Sequence, residues 1–204
     1  MPGGQIKVFW LEPTDLVRVW ARRYVPSGDY RWCSKRMGLG CEAWRLHLEQ
    51  APREDWPASR AASEKEGMAF PETCSHCKGA FPAGSIHQVF VSSLFSGAPD
   101  GKLYTLREAP VGSMWDADWL PNELAGPDGI HLVVKTPGGE WMVDSKATNC
   151  TRPDEDHECW VRHGDPRTGT VHVDKQGNTC SAGAGSISMG GYHGFLHHGF
   201  LTNA

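Results

Sequence analysis

The chain has 204 residues with a net charge of −4; 24 are glycine, 14 are proline and 39% are hydrophobic. Glycine and proline together far exceed their usual share of roughly 12%, which excludes a coiled coil, a helical bundle and a collagen-like rod. The negative net charge argues against a general nucleic-acid binder. Nine tryptophans provide the large apolar side chains that a compact core needs.

The first forty residues carry seven basic and three acidic side chains, so this part is +4 and the remainder is −8. Such an excess is typical of a solvated strand face, and it also suits contact with an acidic partner. If it is a contact face, the candidate residues are Arg22, Arg23, Trp32 and Arg36.

Residues 5–12 and 15–25 are predicted to be strands, because apolar residues such as Val17 and Val19 alternate with polar or aromatic ones. A turn is predicted at Pro13 and Thr14, between the two strands. Residues 41–50 fit either a strand or a short helix. Residues 51–67 are charged and aperiodic, and they are predicted to form a loop in which 59–66 could make a helical turn.

Further along the chain, residues 85–95 are predicted to form a strand that contains Val89 and Val91, and 102–106 a shorter one. The strongest local pattern is a hairpin, with β-rich runs at 130–136 and 140–144 around a Pro-Gly-Gly turn. Residues 171–174 lead into another turn, and the tail from Ser181 is rich in glycine. The tail holds a near-repeat, His193 to Leu196 and His198 to Leu201, too short to indicate a repeat architecture.

These elements predict a mainly β (α+β) fold: an antiparallel sheet with short helices, no long helix and a zinc-ribbon-like knuckle. The chain is expected to divide into residues 1–84, an N-terminal β region with the knuckle, and 85–204, a β-rich region with a Cys/His cluster and a glycine-rich tail. The alternative is one domain in which both parts share a sheet.

The most specific motif is Cys74-Ser75-His76-Cys77, followed by Gly79. A C-x-x-C turn presents two thiolates to a tetrahedral zinc ion, and the glycine lets the backbone curl toward the sulfurs. Cys33 and Cys41 are the nearest upstream thiols that could complete the site, with His47 in reserve. Four protein ligands leave no open position, so this zinc would stabilise the fold without reacting. Unligated thiols on a turn and a redox pair are the alternatives.

A second set of candidate ligands lies in the C-terminal half, where seven of the ten histidines occur after residue 130. A second zinc site would use four ligands: Cys150, Cys159, His163 and Cys180. Of these, Cys159 and His163 have the spacing of a ligand pair on one helical turn. The segment 158–163 also fits a strand, which would separate the two side chains. Buried thiols and hydrogen-bonded histidines are the alternative.

Nucleophilic catalysis is an alternative use of the same half. Cys180 precedes a glycine-rich stretch whose amides could form an oxyanion hole, with His193 as base and Asp174 or Asp144 orienting it. This arrangement matches no hydrolase signature. A zinc-dependent hydrolase or transferase and a nucleic-acid-binding zinc protein are the other functions left open.

The first residues have neither the basic start nor the apolar run of a secretory signal, so no such signal is expected. We therefore expect the protein to be made in a cytosol. No apolar stretch is long enough to cross a bilayer, so no membrane partner is expected.

Several C-terminal motifs together resemble an uncharacterised protein family of tailed bacteriophages and prophages. The motifs are Trp141 to Ser145, Asn149 to Thr151, Cys159 to Gly164, Val173 to Lys175, Thr179 to Ile187 and Tyr192 to Leu196. The family has no activity to carry over. The resemblance implies a phage origin, synthesis in the bacterial host cytoplasm, and a virion component or host factor as the partner.

The sequence therefore predicts a zinc-stabilised, non-catalytic phage protein that binds another protein. One zinc ion is expected at the first cysteine set, and a second if the C-terminal set also coordinates metal.

Overall fold

The protein is described by a computed structural model, in which residues 4–24, 31–33, 36–37, 46–53, 73, 80, 86–147, 150, 159–174 and 185–204 are placed. The fold is mainly β, with mostly antiparallel pairing. In chain order the strands are β1 (Ile6–Lys7), β2 (Phe9–Trp10), β3 (Glu12–Tyr24), β4 (Arg31–Cys33), β5 (Arg36–Met37), β6 (Leu46–Pro52), β7 (Ile86–Ser96), β8 (Ser113–Asp116), β9 (Leu132–Thr136), β10 (Gly139–Met142), β11 (Val161–His163), β12 (His172–Asp174), β13 (Ile187–Met189), β14 (Tyr192–His197) and β15 (Phe200–Asn203). Short 3-10 turns occur at Asn122–Leu124 and Pro166–Thr168.

The chain forms two compact units. Unit 1 combines the first twelve residues with 95–204, and unit 2 comprises 13–94. The division expected from the sequence, at residue 84, stays a prediction.

Unit 1 contains two four-stranded sheets and a two-stranded ribbon. The first sheet has the order β1-β15-β14-β13 and is antiparallel throughout. The second has the order β10-β9-β8-β2, in which only β2 and β8 run parallel. Strands β11 and β12 form the ribbon, which pairs His163 with His172.

The main core of unit 1 collects apolar residues from both sheets and from the ribbon. Its buried members include Met114 and Trp141 of the second sheet, Leu196 and Leu201 of the first, and Val173 of the ribbon. Successive side chains of a strand point to opposite faces. The residues next to these core members therefore face the other side of the sheet.

A second apolar cluster lies against the other face of the second sheet. Trp115 and Val133 alternate with the residues of the main core and pack there with Leu11, Phe95 and Ala109. The centre of this sheet is therefore buried on both faces, which explains the unbroken apolar run of β9.

Unit 2 contains a three-stranded sheet with the order β6-β3-β7 and the two-stranded pair β4–β5. Strands β3 and β6 pair antiparallel from Leu16 opposite Pro52 to Ala21 opposite Leu46, with an irregularity at Arg18 and Val19. Val17 and Leu94 are fully buried. The Thr14 hydroxyl donates to the Leu94 carbonyl over 2.8 Å.

Several sequence-based predictions are confirmed. Residues 86–96 are a strand, 46–52 are a strand rather than a helix, and the hairpin forms as β9 and β10 around Pro137 and Gly138. Residues 161–163 take the strand alternative. The short strand expected at 102–106 is reduced to one bridge between Phe95 and Tyr104.

The turn predicted at Pro13 and Thr14 is wrong, because both residues lie inside β3. Proline is tolerated at the start of a strand, where its missing N–H is not required by the ladder, and pairing with β6 begins only at Leu16. The loop expected at 51–67 lies largely outside the described residues, but 51 and 52 belong to β6.

Candidate functional site: a histidine–aspartate pocket

The β11–β12 ribbon and the turn after β14 line a pocket of about 460 Å³ that is open to solvent. Imidazole rings and one carboxylate dominate its wall. The lining residues are His163, Gly164, Thr170, His172, Asp174 and His198. Pairing between β11 and β12 positions three of them, because it sets His163 opposite His172 and leaves Asp174 two residues further along the same strand.

Asp174 faces two of the histidines. One carboxylate oxygen lies 3.2 Å from Nε2 of His172, and the other lies 3.5 Å from Nε2 of His163. The carboxylate is mostly buried, whereas the His163 side chain is 49% exposed. A carboxylate in this position orients the imidazole rings that face it.

The tautomer of His172 follows from its two hydrogen-bond partners. Its Nδ1 lies 3.3 Å from the backbone nitrogen of His198, which can only donate. Nδ1 is therefore the unprotonated acceptor, and the neutral ring carries its proton on Nε2, where it donates to Asp174.

Two further rings pack against His172. The ring of His198 stacks at 4.4 Å between centroids, and the ring of His197 lies at 4.5 Å. The ring of His163 is more distant, at 6.2 Å. Burial, and then the neighbouring His172 and His198, lowers the pKa of His197, while Asp174 opposes this shift. The neutral form of the His197 ring is therefore favoured in the folded chain.

An ion-pair network beside the pocket holds β11 in place. Arg162, between Trp160 and His163 on the chain, donates to both oxygens of Asp128 over 2.7 Å and to Asp144 over 3.2 Å. Although burial acts to raise it, the hydrogen bonds from Arg162 hold the pKa of Asp128 below its usual value. The guanidinium side chain is only 2% exposed, so it serves as an anchor rather than a surface contact.

The first predicted zinc set is described only in part. Cys33 lies in β4, where the register pairs it with Arg36. No side chain is described for Cys41, Cys74, Cys77 or the reserve ligand His47. Thr73 and Ala80, which flank the C-x-x-C motif, form an isolated antiparallel bridge. The four-cysteine set stays a prediction.

The second predicted set has three described members, and Cys180 lies outside the described residues. Cys159 is buried, and its sulfur accepts a 3.2 Å hydrogen bond from the Ala147 amide. The Cys150 amide donates to the Ala147 carbonyl over 2.9 Å, so both cysteines are hydrogen-bonded to the backbone of Ala147. His163 faces Asp174 instead. Within the described ranges, no group of three or more Cys, His, Asp or Glu side chains is arranged to hold a metal ion.

The alternative catalytic set is likewise described only in part. His193 lies 3.1 Å from the Ser186 hydroxyl, and Asp174 faces His163 and His172. Cys180 is outside the described ranges, so the nucleophile of that hypothesis stays untested. The same holds for the contact face at Arg22, Arg23, Trp32 and Arg36, whose side chains are not among those described.

The pocket itself was not predicted from the sequence, which had singled out His163 and Asp174 for two different sites. The concentration of histidines after residue 130 was the available signal. It did not show which of them would meet, because His163, His172 and the pair His197–His198 come from three separate elements.

No protein-family model, curated protein or solved structure matches this chain. Among the described residues, no helix is long and apolar enough to cross a membrane.

Proposed function

We propose that this chain is a zinc-stabilised, non-catalytic phage protein, made in the bacterial host cytoplasm, that binds another protein as a virion component or a modulator of a host factor. The observation that carries the binding proposal is Trp119, whose exposed fraction is 62%. Tryptophan is strongly enriched among the residues that dominate binding energy at protein interfaces.

The segment that presents Trp119 is anchored. Leu120 packs against the second apolar cluster, and its amide donates to the carbonyl of buried Ala117 over 2.8 Å. The 3-10 turn at Asn122–Leu124 follows directly. Because the turn is already ordered, its backbone loses little further entropy when a partner covers the Trp119 side chain. This favours affinity.

The surroundings of Trp119 indicate the charge of the partner. Residues 116–130, from the last residue of β8 to the approach to β9, carry four carboxylates and neither lysine nor arginine. Asp118 and Glu123 are exposed, while Asp116 and Asp128 accept hydrogen bonds from His131 and Arg162. A partner that presents basic groups around an apolar pocket complements this surface.

The bridge between Thr73 and Ala80 supports the zinc part of the proposal. An antiparallel pair on either side of C-x-x-C brings the two ends of this segment together, as a zinc knuckle requires. Bound zinc would then stabilise unit 2, in which these residues lie.

Capture of partners from infected bacteria tests the binding proposal. Trp119→Ala is expected to weaken retention of a specific partner at least about tenfold, as removal of an interface anchor does. Met142→Ala is the matched control, because Met142 is also an exposed apolar residue of unit 1, at 40%. The expected partner is released as salt rises from low to moderate concentration. A partner that binds both variants equally well would contradict the proposal.

A further inference from the structure

The histidine–aspartate pocket has a carboxylate in its wall, and its described lining residues include neither lysine nor arginine. Asp174 is the acidic member of this lining. Two arginines lie close to the pocket along the chain, but both are engaged elsewhere: Arg162 pairs with Asp128, and Arg167 lies over the Trp10 ring. Neither of these arginines therefore neutralises the charge of Asp174.

The Asp174 side chain is oriented by two histidines and remains partly exposed. Its oxygens lie 3.2 Å from Nε2 of His172 and 3.5 Å from Nε2 of His163, and 18% of the side chain is exposed. A carboxylate offers about four acceptor positions. Asp174 can therefore accept hydrogen bonds from a ligand while it keeps its contacts with the imidazole rings.

The described groups do not favour an anion in this pocket. Asp174 would repel it, and two backbone amides of the turn after β14 already have acceptors. The amide of His198 donates to Nδ1 of His172 over 3.3 Å, and the amide of Gly199 donates to the Val171 carbonyl over 2.8 Å. These amides are therefore not available to hold a phosphate or a carboxylate.

A coordinated metal ion does not suit the described geometry either. His172 accepts a hydrogen bond at Nδ1 and donates one from Nε2, so neither nitrogen presents a free lone pair. In the part of the chain that the structure describes, no three metal-ligating side chains are grouped to hold an ion. A cation that donates hydrogen bonds fits this carboxylate better than one that needs lone pairs.

The imidazole rings give the pocket flat surfaces. The rings of His172 and His198 stack at 4.4 Å, and the ring of His163 lies 6.2 Å from that of His172. His198 is exposed, and so is 49% of the His163 side chain. A guanidinium group is planar, stacks on such rings and donates two parallel hydrogen bonds to a carboxylate. An ammonium group is a point charge without this fork.

We propose that this pocket binds the guanidinium group of an arginine side chain on the partner protein, with Asp174 as its acceptor and the rings of His163 and His198 beside it. The pocket volume of about 460 Å³ is in the usual range for ligand pockets. The inference rests on the proposed function for the source of the arginine. It also agrees with the basic partner that the carboxylates around Trp119 indicate.

Binding of N-acetyl-arginine amide to the full chain, followed by NMR at pH 8, tests the pocket directly. Histidine side chains are ordinarily neutral at this pH. The backbone amide signals of Gly164, Thr170 and His198 are expected to shift together, with a dissociation constant on the order of 1 mM for so small a ligand. N-acetyl-citrulline amide has the same shape without the charge and should bind at least about tenfold more weakly.

Asp174→Asn keeps the shape of the side chain and removes its charge, so binding of the arginine amide should weaken at least about tenfold. Asp118→Asn is the matched control, because it removes the same charge at an exposed position of unit 1, beside Trp119. His163→Ala supplies a second variant should Asp174→Asn fail to fold. It removes a half-exposed ring and should weaken binding severalfold.

Four results would overturn the proposal. They are equal binding of the arginine and citrulline amides, equal binding of N-acetyl-lysine amide, an affinity unchanged in Asp174→Asn or His163→Ala, and an affinity lost in Asp118→Asn instead. Trp119→Ala should leave binding of the arginine amide unchanged. Failure of the pocket can therefore be distinguished from failure of the proposed function, which is measured by retention of the partner.

Discussion

Arg162 and Asp128 form a two-pronged ion pair, in which both terminal nitrogens of the guanidinium lie 2.7 Å from a carboxylate oxygen. The pair joins β11 to the segment that leads into β9, and a further contact with Asp144 extends it to the end of the β9–β10 hairpin. A planar fork of donors matches two carboxylates better than a lysine would.

Removal of this arginine should destabilise unit 1 strongly. Arg162→Ala leaves Asp144 largely buried beside an empty space, and we expect a loss of about 3 kcal/mol in the free energy of unfolding. Urea unfolding at neutral pH measures this loss. Arg107→Ala, at an exposed position, should change the free energy by no more than about 0.5 kcal/mol. Equal effects of the two substitutions would contradict an anchoring role for Arg162.

Stability should fall as the pH drops below the ordinary pKa of histidine, 6.5. The pKa of His197 is lowered in the folded chain, so the unfolded chain binds protons more readily as the pH falls through this value, and unfolding is favoured. In His197→Phe this contribution disappears, while contact with the Phe195 ring, now 5.1 Å from that of His197, is retained. Thermal unfolding between pH 7.5 and 5.5 should therefore show a shallower decline for the variant. A steeper or unchanged decline would show that His197 is not responsible.

Gly138 lies in the β9–β10 turn, at a point where a side chain has no room. A Cβ atom there would collide with the Met189 carbonyl at the end of β13. Because backbone cannot yield as a side chain can, Gly138→Ala should cost about 2 kcal/mol of unfolding free energy. Gly4→Ala is the control, since nothing lies within 4 Å of the position of its Cβ. An unchanged free energy of unfolding in Gly138→Ala would mean that the β9–β10 turn and the end of β13 do not pack as closely as described.

The β9–β10 hairpin was predictable because each local signal agreed with the final structure. Its strands are rich in β-branched residues, and proline and glycine stand between them. Burial on both faces of the sheet also accounts for Leu132 to Val134, which form an apolar run instead of an alternating pattern.

The last three strands were not predicted, because the glycines of this segment weaken the local strand signal. Gly194 lies inside β14, where a Cβ would meet the Thr202 carbonyl and the Tyr192 hydroxyl. Glycine is required there by close packing between neighbours, not by a turn. The near-repeat also conceals different structures, since His193 lies in a strand and His198 forms a turn. Local patterns do not encode such tertiary demands.

The pocket was beyond sequence reasoning for a related reason. Its members are far apart in the chain, and only the register of β11 with β12 and the position of the β14–β15 turn bring them together. Composition indicated many histidines in this half without indicating that His172 would be their centre.

Zinc content of the purified chain, measured by elemental analysis, decides whether the first cysteine set binds metal. At least one tightly held zinc per chain is expected, and one ion fewer in the double variant Cys74→Ser/Cys77→Ser, with loss of structure in unit 2. Cys150→Ser should keep the ion of the first cysteine set. A wild-type chain without zinc, or a double variant with an undiminished content, would contradict the claim that sulfur coordination at these two cysteines stabilises the protein.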